Sequence, residues 1–142
     1  MADELVTNGG AKWMIDILAQ QISPDDVDIV LLTDTTPFAL TDVPADHTPT
    51  VLTGGGPVTL GTANWSTSVS AGTAFAVSTL ISWSFAAYAG GTTIEQYMVV
   101  DSSTGAILIW GGVLPTPYAV PSGGGVFELV ITWPLNQCPE GP

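Results

Sequence analysis

The sequence contains almost no positive charge. Lys12 is the only lysine and arginine is absent, whereas Asp and Glu together number 13, which gives a formal net charge of −12. Proteins hold nucleic acid by placing Lys and Arg against the phosphates and releasing condensed counterions. We therefore expect no binding to DNA or RNA and no attraction to an anionic membrane surface. A net charge of this size also keeps a protein soluble, which is a simpler explanation of the acidity.

Charged residues of either sign are scarce. They make up 10% of the chain, while hydrophobic residues make up 46%, and an average soluble domain has about 25% charged residues. A surface built largely from Thr, Ser, Gly, Ala and apolar groups is typical of proteins that contact partners. The composition therefore predicts docking to another protein or assembly into a homo-oligomer, and we expect a trimer.

The side chains that enzymes use for acid–base and nucleophilic chemistry are nearly missing. His47 is the only histidine, Cys138 is the only cysteine, and no Gly-x-Ser-x-Gly elbow is present. The pair Asp46-His47 invites comparison with a catalytic triad, but no third member can be assigned among so many hydroxyls. We expect His47 to be a solvated loop histidine. We predict no enzyme activity, no catalytic residue and no cofactor.

The only local cluster of carboxylates in the sequence consists of Asp25, Asp26, Asp28 and Asp34. Hard cations such as calcium bind to several oxygen ligands, so this cluster is the candidate cation site. The spacing does not match an EF-hand loop. Asp25 and Asp26 have the positions of acids in the first turn of a short helix, and Asp28 falls on a predicted strand. We predict no metal ligand, while cation binding by Asp25, Asp26 and Asp28 stays open. The two triple-glycine runs are predicted to be turns, because no phosphate-loop spacing follows them.

The sequence predicts neither a secretory signal nor a membrane-spanning segment. The chain begins with Asp3 and Glu4 among its first residues, where a secretory signal would carry basic residues, so we expect synthesis in a cytoplasm. The most apolar window, residues 71–88, contains several Ser and Thr and lacks flanking Lys or Arg. We predict no membrane span.

Periodicity predicts a mainly β protein with a single domain over residues 1–142. Amphipathic spacing over residues 9–21 indicates one short N-terminal helix, and Pro and Gly over residues 38–66 indicate an extended loop. The other runs predict strands at residues 27–33, 75–85, 96–101, 106–110 and 126–133, and a Gly- and Pro-rich connection at residues 111–125. Short strands at this spacing favour an antiparallel, jelly-roll-like β-sandwich over a parallel sheet.

Apolar residues of the extended loop and one tryptophan are the candidates for contact with a partner. Trp83, Trp110 and Trp133 lie on predicted strands and are expected in the core. Trp65 lies in a hydroxyl-rich stretch, and aromatic side chains are enriched at interfaces. We predict a protein-interaction surface that includes Phe38, Leu40, Val51, Leu52 and Trp65.

The order of several segments resembles that of small virion proteins of tailed bacteriophages. These segments are LVTNGGAKW at 5–13, IVLLT at 29–33, MVVD at 98–101, STG at 103–105, AILIWGG at 106–112, VPSGG at 120–124 and FELVI at 127–131. The resemblance implies a capsid cement or decoration protein on the virion surface, made in the host cytoplasm and bound to the major capsid protein. A small tail or fibre component is an alternative. So is a carbohydrate- or host-receptor-binding module, which the tryptophan count favours.

Overall fold

The computed structural model describes residues 4–7, 26–70 and 73–134. This part of the chain is mainly β, as the sequence predicts, and its strand pairings are antiparallel. The predicted helix at residues 9–21 lies outside the described residues. Within the described ranges, helical structure is limited to two 3₁₀ turns, Pro44–Asp46 and Thr62–Asn64. The strands are β1 (Glu4–Val6), β2 (Val27–Leu32), β3 (Val58–Leu60), β4 (Trp65–Ser70), β5 (Thr73–Ser78), β6 (Ile81–Phe85), β7 (Thr93–Asp101), β8 (Leu108–Ala119), β9 (Gly125–Leu129) and β10 (Thr132–Pro134).

Strand β2 lies inside a five-stranded sheet with the order β1-β8-β7-β2-β3. Its run of β-branched and aliphatic residues favours an extended conformation, and it pairs with β7 along its whole length and with β3 at its start. Ile29 and Leu31 pack into one core cluster, while Val30 and Leu32 pack into a second. The predicted strand at residues 27–33 is therefore confirmed, and both of its faces are covered.

Strands β7 and β8, which contain the predicted strands at residues 96–101 and 106–110, form a hairpin that turns at Gly105 with a φ of +66°. Strand β8 does not end at Trp110, however, and the predicted connection at residues 111–125 is wrong as far as Ala119. Proline normally ends a central strand because it cannot donate a ladder hydrogen bond. Here the pairing with β7 is irregular between Ile94 and Gln96, and the two prolines of β8 lie in that irregular stretch.

Two of the predicted strands are each divided in two. Residues 75–85 belong to β5 and β6, and residues 126–133 belong to β9 and β10. Strand β5 pairs with β10, and β6 pairs with β9. The segments 75–85 and 126–133 therefore lie antiparallel, and the strand pairing between them is interrupted at one point. Strand β4 lies on the other side of β5. The prediction of one continuous strand over residues 75–85 is therefore wrong.

A one-residue bulge explains this break. Residues 78–80 oppose residues 130–131 between the flanking pairs of the two ladders, which leaves one extra residue on the earlier segment. The buried hydroxyl of Ser78 fills the gap in the ladder, because it accepts a hydrogen bond from the amide of Ile131 at 2.8 Å. The extra residue reverses the alternation of the side chains. Those that face the core are Ala76 and Ser78 before the bulge, and Ile81, Trp83 and Phe85 after it.

The buried side chains form two clusters, one on each face of the five-stranded sheet. The first core cluster joins one face of the five-stranded sheet to β6 and to Ile131, and it contains the predicted core residues Trp83 and Trp110. The Trp133 side chain lies outside what the structure describes. The second core cluster covers the opposite face and consists of Val30, Leu32, Met98, Val100 and Leu108, with Phe38 packed against them. Within residues 4–7, 26–70 and 73–134, no helix has the length and apolar character needed to cross a membrane.

Candidate functional site

The chain that follows β2 leaves the sheet and returns to it as a closed loop. The Thr33 amide donates to the Thr48 carbonyl at 2.9 Å, and the Thr50 amide donates to the Leu31 carbonyl at 2.9 Å. These bonds close residues 34–47 into a loop with adjacent ends, which we call the 34–47 loop. Loops of this kind, packed by their own side chains, are frequent functional elements.

His47 lies buried at the base of the 34–47 loop, with a relative exposure of 4%. Its Nδ1 atom lies 3.0 Å from Oδ2 of Asp34, and its Nε2 atom lies 2.8 Å from Oδ2 of Asp42. The prediction of a solvated histidine is therefore wrong. Closure of the loop brings Asp34 and Asp42 to the ring, and sequence proximity indicated only Asp46. We call the three side chains Asp34, His47 and Asp42 the clasp.

Whether both contacts of the clasp are hydrogen bonds depends on which atoms of His47 and the two aspartates carry protons. An ionised carboxylate can only accept hydrogen bonds, and a neutral imidazole has one N–H group and one lone pair. Both contacts are hydrogen bonds only when both ring nitrogens of His47 carry protons. The clasp is then an imidazolium held between two carboxylates, and charge-assisted hydrogen bonds of this kind are the strong ones.

Each carboxylate of the clasp also fixes backbone. Oδ1 of Asp34 accepts the Thr48 amide at 3.0 Å, and Oδ2 of Asp42 accepts the Ala39 amide at 2.9 Å. Burial acts to raise the pKa of Asp34, but the Thr48 amide and the hydrogen bond and charge of His47 outweigh it and hold that pKa below its ordinary value. The clasp therefore ties the base of the loop, at Thr48, to the turn at Ala39.

The arrangement leaves no ring nitrogen of His47 available as a general base. A base must offer a lone pair within hydrogen-bond reach of the proton that it removes, and both nitrogens face carboxylates. Asp46, the neighbour that suggested a triad, accepts the Val43 amide at 2.9 Å and caps the Pro44–Asp46 turn. The clasp is built to hold the loop in place.

Two side chains hold the 34–47 loop against the sheet. The Phe38 ring lies 4.4 Å from the His47 ring, centroid to centroid, and packs on the second core cluster. It also lies over Gly111, where a Cβ atom would overlap the ring. The buried Gln96 amide donates to the carbonyls of Asp34 at 2.8 Å and Thr36 at 3.1 Å. Sequence reasoning missed Gln96, although a glutamine beside a run of apolar strand residues was a usable signal.

The segment that follows the loop is also fixed. The Ala86 amide donates to the Thr53 carbonyl at 3.0 Å, and Nε1 of Trp83 donates to the Gly56 carbonyl at 3.0 Å. Gly54 has a φ of +89° and lies so close to the Ser84 carbonyl that a Cβ atom would overlap it. The predicted extended loop at residues 38–66 is irregular to residue 57 and then contains β3 and the start of β4. It lies against the sheets as a fixed surface.

The five predicted contact residues have different environments. Leu40 is 37% exposed and Val51 is 96% exposed. Phe38, Leu52 and Trp65 are partly buried, Phe38 against the second core cluster and the other two against the first. Val43, which the sequence did not single out, is 46% exposed. Leu40, Val43 and Val51 are thus the large aliphatic side chains exposed in and near the 34–47 loop.

A groove of about 400 Å³ opens beside Val51. Glu95 is the charged residue among those that line it, and hydroxyl groups dominate the rest of the lining. The groove is lined by Thr33, Thr48, Pro49, Thr50, Val51, Leu52, Gly91, Thr92, Thr93 and Glu95. Such a lining offers many hydrogen bonds and a single negative charge to a ligand.

The described residues contain no group of three or more His, Cys, Asp or Glu placed to hold a metal ion. Asp28 accepts a hydrogen bond from the Thr59 hydroxyl at 2.6 Å. The Asp26 carbonyl accepts the Ser102 amide at 3.1 Å. Asp25 lies outside the described residues, so cation binding by Asp25, Asp26 and Asp28 together is untested.

No protein-family model matches the chain, and searches of curated proteins and of solved structures find no match. The resemblance to phage virion proteins therefore remains an expectation from sequence segments.

Proposed function

We propose that this protein is a structural subunit of a bacteriophage particle without enzyme activity, a capsid cement or decoration protein. It binds the major capsid protein in the assembled head and stabilises the shell. The observation that carries the proposal is the exposure of Leu40 and Val43 in the 34–47 loop and of Val51 just after it, on a chain with very few charged residues. We propose that these side chains act together as one contact site, since exposed apolar patches mark protein interaction sites.

Pre-organisation is the physical reason why this surface suits docking. Association has an entropic cost when loops become ordered at an interface, and a loop that is already held in its bound form avoids most of it. The clasp, Phe38 and Gln96 hold the 34–47 loop before any partner arrives. Aliphatic burial at such a surface then contributes to binding with little opposing entropy.

The proposed architecture is a jelly-roll-like sandwich of two layers. The five-stranded sheet is one layer, and the two-stranded sheet β6-β9 and the three-stranded sheet β4-β5-β10 form the other. Buried residues from both layers belong to the single first core cluster, which supports this arrangement. A β-sandwich of this size is rigid enough to sit over the junctions of a shell as a trimer, which the low charge content favours.

Shells stripped of this chain provide the test. Wild-type protein and the Val51→Asp variant are added to stripped shells, and bound protein is measured by co-sedimentation together with the temperature of genome release. Val126→Asp is the matched control, because Val126 is 58% exposed on β9, outside the proposed contact site. We expect wild type and Val126→Asp to bind and to raise the release temperature, and Val51→Asp to do neither. Equal binding by Val51→Asp, or no effect of wild type on the shell, would contradict the proposal.

The groove beside Glu95 favours one alternative function, a carbohydrate- or receptor-binding module. Hydroxyl-rich linings donate and accept hydrogen bonds as sugars do. Titration of the ¹⁵N-labelled protein with soluble host-cell polysaccharide separates the two functions. Shifts confined to the amides of Thr92, Thr93 and Glu95 would support the alternative, and an unchanged spectrum would count against it.

A further inference from the structure

We propose that the groove beside Val51 accepts a lysine side chain of the partner protein, with the Glu95 carboxylate as its counter-charge. This inference rests on the proposed function and deepens it, because it names the chemistry that the contact site recognises on the major capsid protein. The observation that carries it is a half-buried carboxylate without a partner, in a groove of about 400 Å³ that Val51 also lines.

A change of face in β7 brings Glu95 to the groove. In a regular strand, residues two positions apart share a face, so Glu95 would share the face of Tyr97, which packs in the first core cluster. Instead Ile94 packs in that cluster, while Gln96 lies on the opposite face with its pairing partner Leu32. The pairing with β8 is irregular between Ile94 and Gln96, and irregularities of this kind re-aim a side chain. The carboxylate is thereby kept out of the core.

The Glu95 carboxylate has no partner within the described ranges 4–7, 26–70 and 73–134, where no hydrogen bond or ion pair joins it to another residue. Glu128 on β9, by contrast, accepts a hydrogen bond from the Ser82 hydroxyl at 3.4 Å. Lys12 is the only lysine of the chain and arginine is absent. An opposite charge stabilises a half-buried carboxylate, and a chain with so few cations relies on another molecule to supply one.

Docking at Val51 makes that cation necessary. Val51 is 96% exposed and lines the groove, so a partner that covers Val51 also covers the groove beside it. Water then leaves Glu95, and a buried carboxylate without a positive partner is strongly unfavourable. A neutral saccharide in the groove does not balance this charge. A basic side chain of the docked protein does.

The lining suits the whole length of a lysine side chain. Its aliphatic stem can lie along Val51 and Leu52, as long charged side chains commonly do on apolar surface. Its ammonium group has three N–H donors, and the hydroxyl oxygens of Thr92 and Thr93 can accept them beside Glu95. A guanidinium group favours aromatic faces on which to stack, and no aromatic residue is among the described residues that line the groove. The chemistry of the lining therefore favours lysine over arginine.

Two variants of equal net charge test the role of Glu95 in shell binding. Glu95→Gln and Glu128→Gln each remove one negative charge, so long-range attraction to the shell changes equally in both. We expect Glu95→Gln to bind stripped shells about fivefold more weakly than wild type at low salt, and the difference to narrow as salt is raised. Glu128→Gln should bind as wild type does. Equal binding by Glu95→Gln and wild type would overturn the inference.

Acetylation of the stripped shells tests the assignment to lysine. The modification removes the charge of lysine side chains and leaves arginine unchanged. Wild type and Glu128→Gln should then lose their advantage over Glu95→Gln, so that the three proteins bind acetylated shells equally. An advantage of wild type that survives acetylation would show that the group in the groove is not lysine.

The isolated protein keeps this inference separate from the proposed function. The ¹⁵N-labelled chain is titrated with Nα-acetyl-lysine methylamide, with its uncharged norleucine analogue and with soluble host-cell polysaccharide. We expect shifts at the amides of Thr93 and Glu95 with the lysine compound only, and none in Glu95→Gln. No shift with the lysine compound, equal shifts with the norleucine analogue, or shifts with polysaccharide alone would overturn the inference. If wild type binds stripped shells under no condition, the proposed function fails, and this titration still decides the inference.

Discussion

The turn at Gly54 offers a sharp test of how the segment after the 34–47 loop is fixed. Gly54 has a φ of +89°, in the left-handed region that L side chains rarely adopt, and its Cα faces the Ser84 carbonyl of β6. The Gly54→Ala substitution therefore introduces both backbone strain and an overlap with Ser84. Gly56 lies two residues further on, has open space around its Cα and no left-handed φ. Gly56→Ala is the matched control.

The expected magnitude combines two effects. Left-handed backbone costs an alanine about 1–2 kcal/mol relative to glycine. Relief of the overlap moves the segment away from β6 and breaks the hydrogen bond from the Ala86 amide to the Thr53 carbonyl, worth about 1 kcal/mol. Gly54→Ala should therefore lower the free energy of unfolding by about 2–3 kcal/mol. At about 4 °C per kcal/mol, the Tm falls by about 8–12 °C.

Gly56→Ala should lie within about 0.5 kcal/mol of wild type, or be slightly more stable because the unfolded chain loses freedom. Chemical denaturation and calorimetry measure both variants, and hydrogen exchange at the Ala86 amide reports the local contact. We expect faster exchange at Ala86 in Gly54→Ala alone. Equal stability of the two variants would refute the reasoning, because it would mean that residues 53–55 do not lie against β6.

Three further predictions concern assembly, nucleic acid and acid stability. Native mass spectrometry should find a symmetric oligomer, a trimer, because so few charges leave a monomer poorly covered, and a monomer mass at micromolar concentration would contradict this. Fluorescence anisotropy should detect no salt-dependent binding to DNA or RNA, since Lys12 is the only lysine and arginine is absent, and sub-micromolar binding would contradict it. Burial acts to raise the pKa of Asp101, but hydrogen bonds from Thr104 and Ser103 outweigh it, so the pKa of Asp101 is lower in the folded protein than in the unfolded chain. Asp101 therefore stabilises the fold at pH values above its unfolded-state pKa, and this stabilisation is lost as the pH falls through its folded-state pKa. Asp101→Asn should therefore be less stable than wild type at neutral pH and lose less stability in acid, and parallel urea-unfolding curves at both pH values would contradict this.

The sequence predicted the elements whose signals are local. The β-branched run of β2 and the glycine of the β7-β8 turn each identify their structure within a few residues. The bulge at Ser78 was missed because its extra residue is defined by the partner strand around Ile131, 53 positions away. The extension of β8 was missed because prolines argue against a strand wherever the ladder is regular, and here it is not.

The irregular segment that carries the predicted contact residues was foreseen from the sequence, and its internal structure was not. Pro and Gly identified the irregular segment, and Leu40 and Val51 are exposed in it, while their contact with a partner stays a prediction. The environment of His47 depends on loop closure, which brings Asp34 from 13 positions away. Spacing along the chain indicated only Asp46, whose carboxylate points to the Val43 amide. Burial of a histidine between two acids is a tertiary event that periodicity does not encode.

A cryo-EM map of shells reconstituted with the protein tests the central claim most directly. The account predicts density for this chain on the assembled head, with Leu40, Val43 and Val51 against the major capsid protein and the outer residues of β9 facing away. Density at the tail or no ordered density on the head would contradict the account. So would a chain on the head with Val51 in solvent.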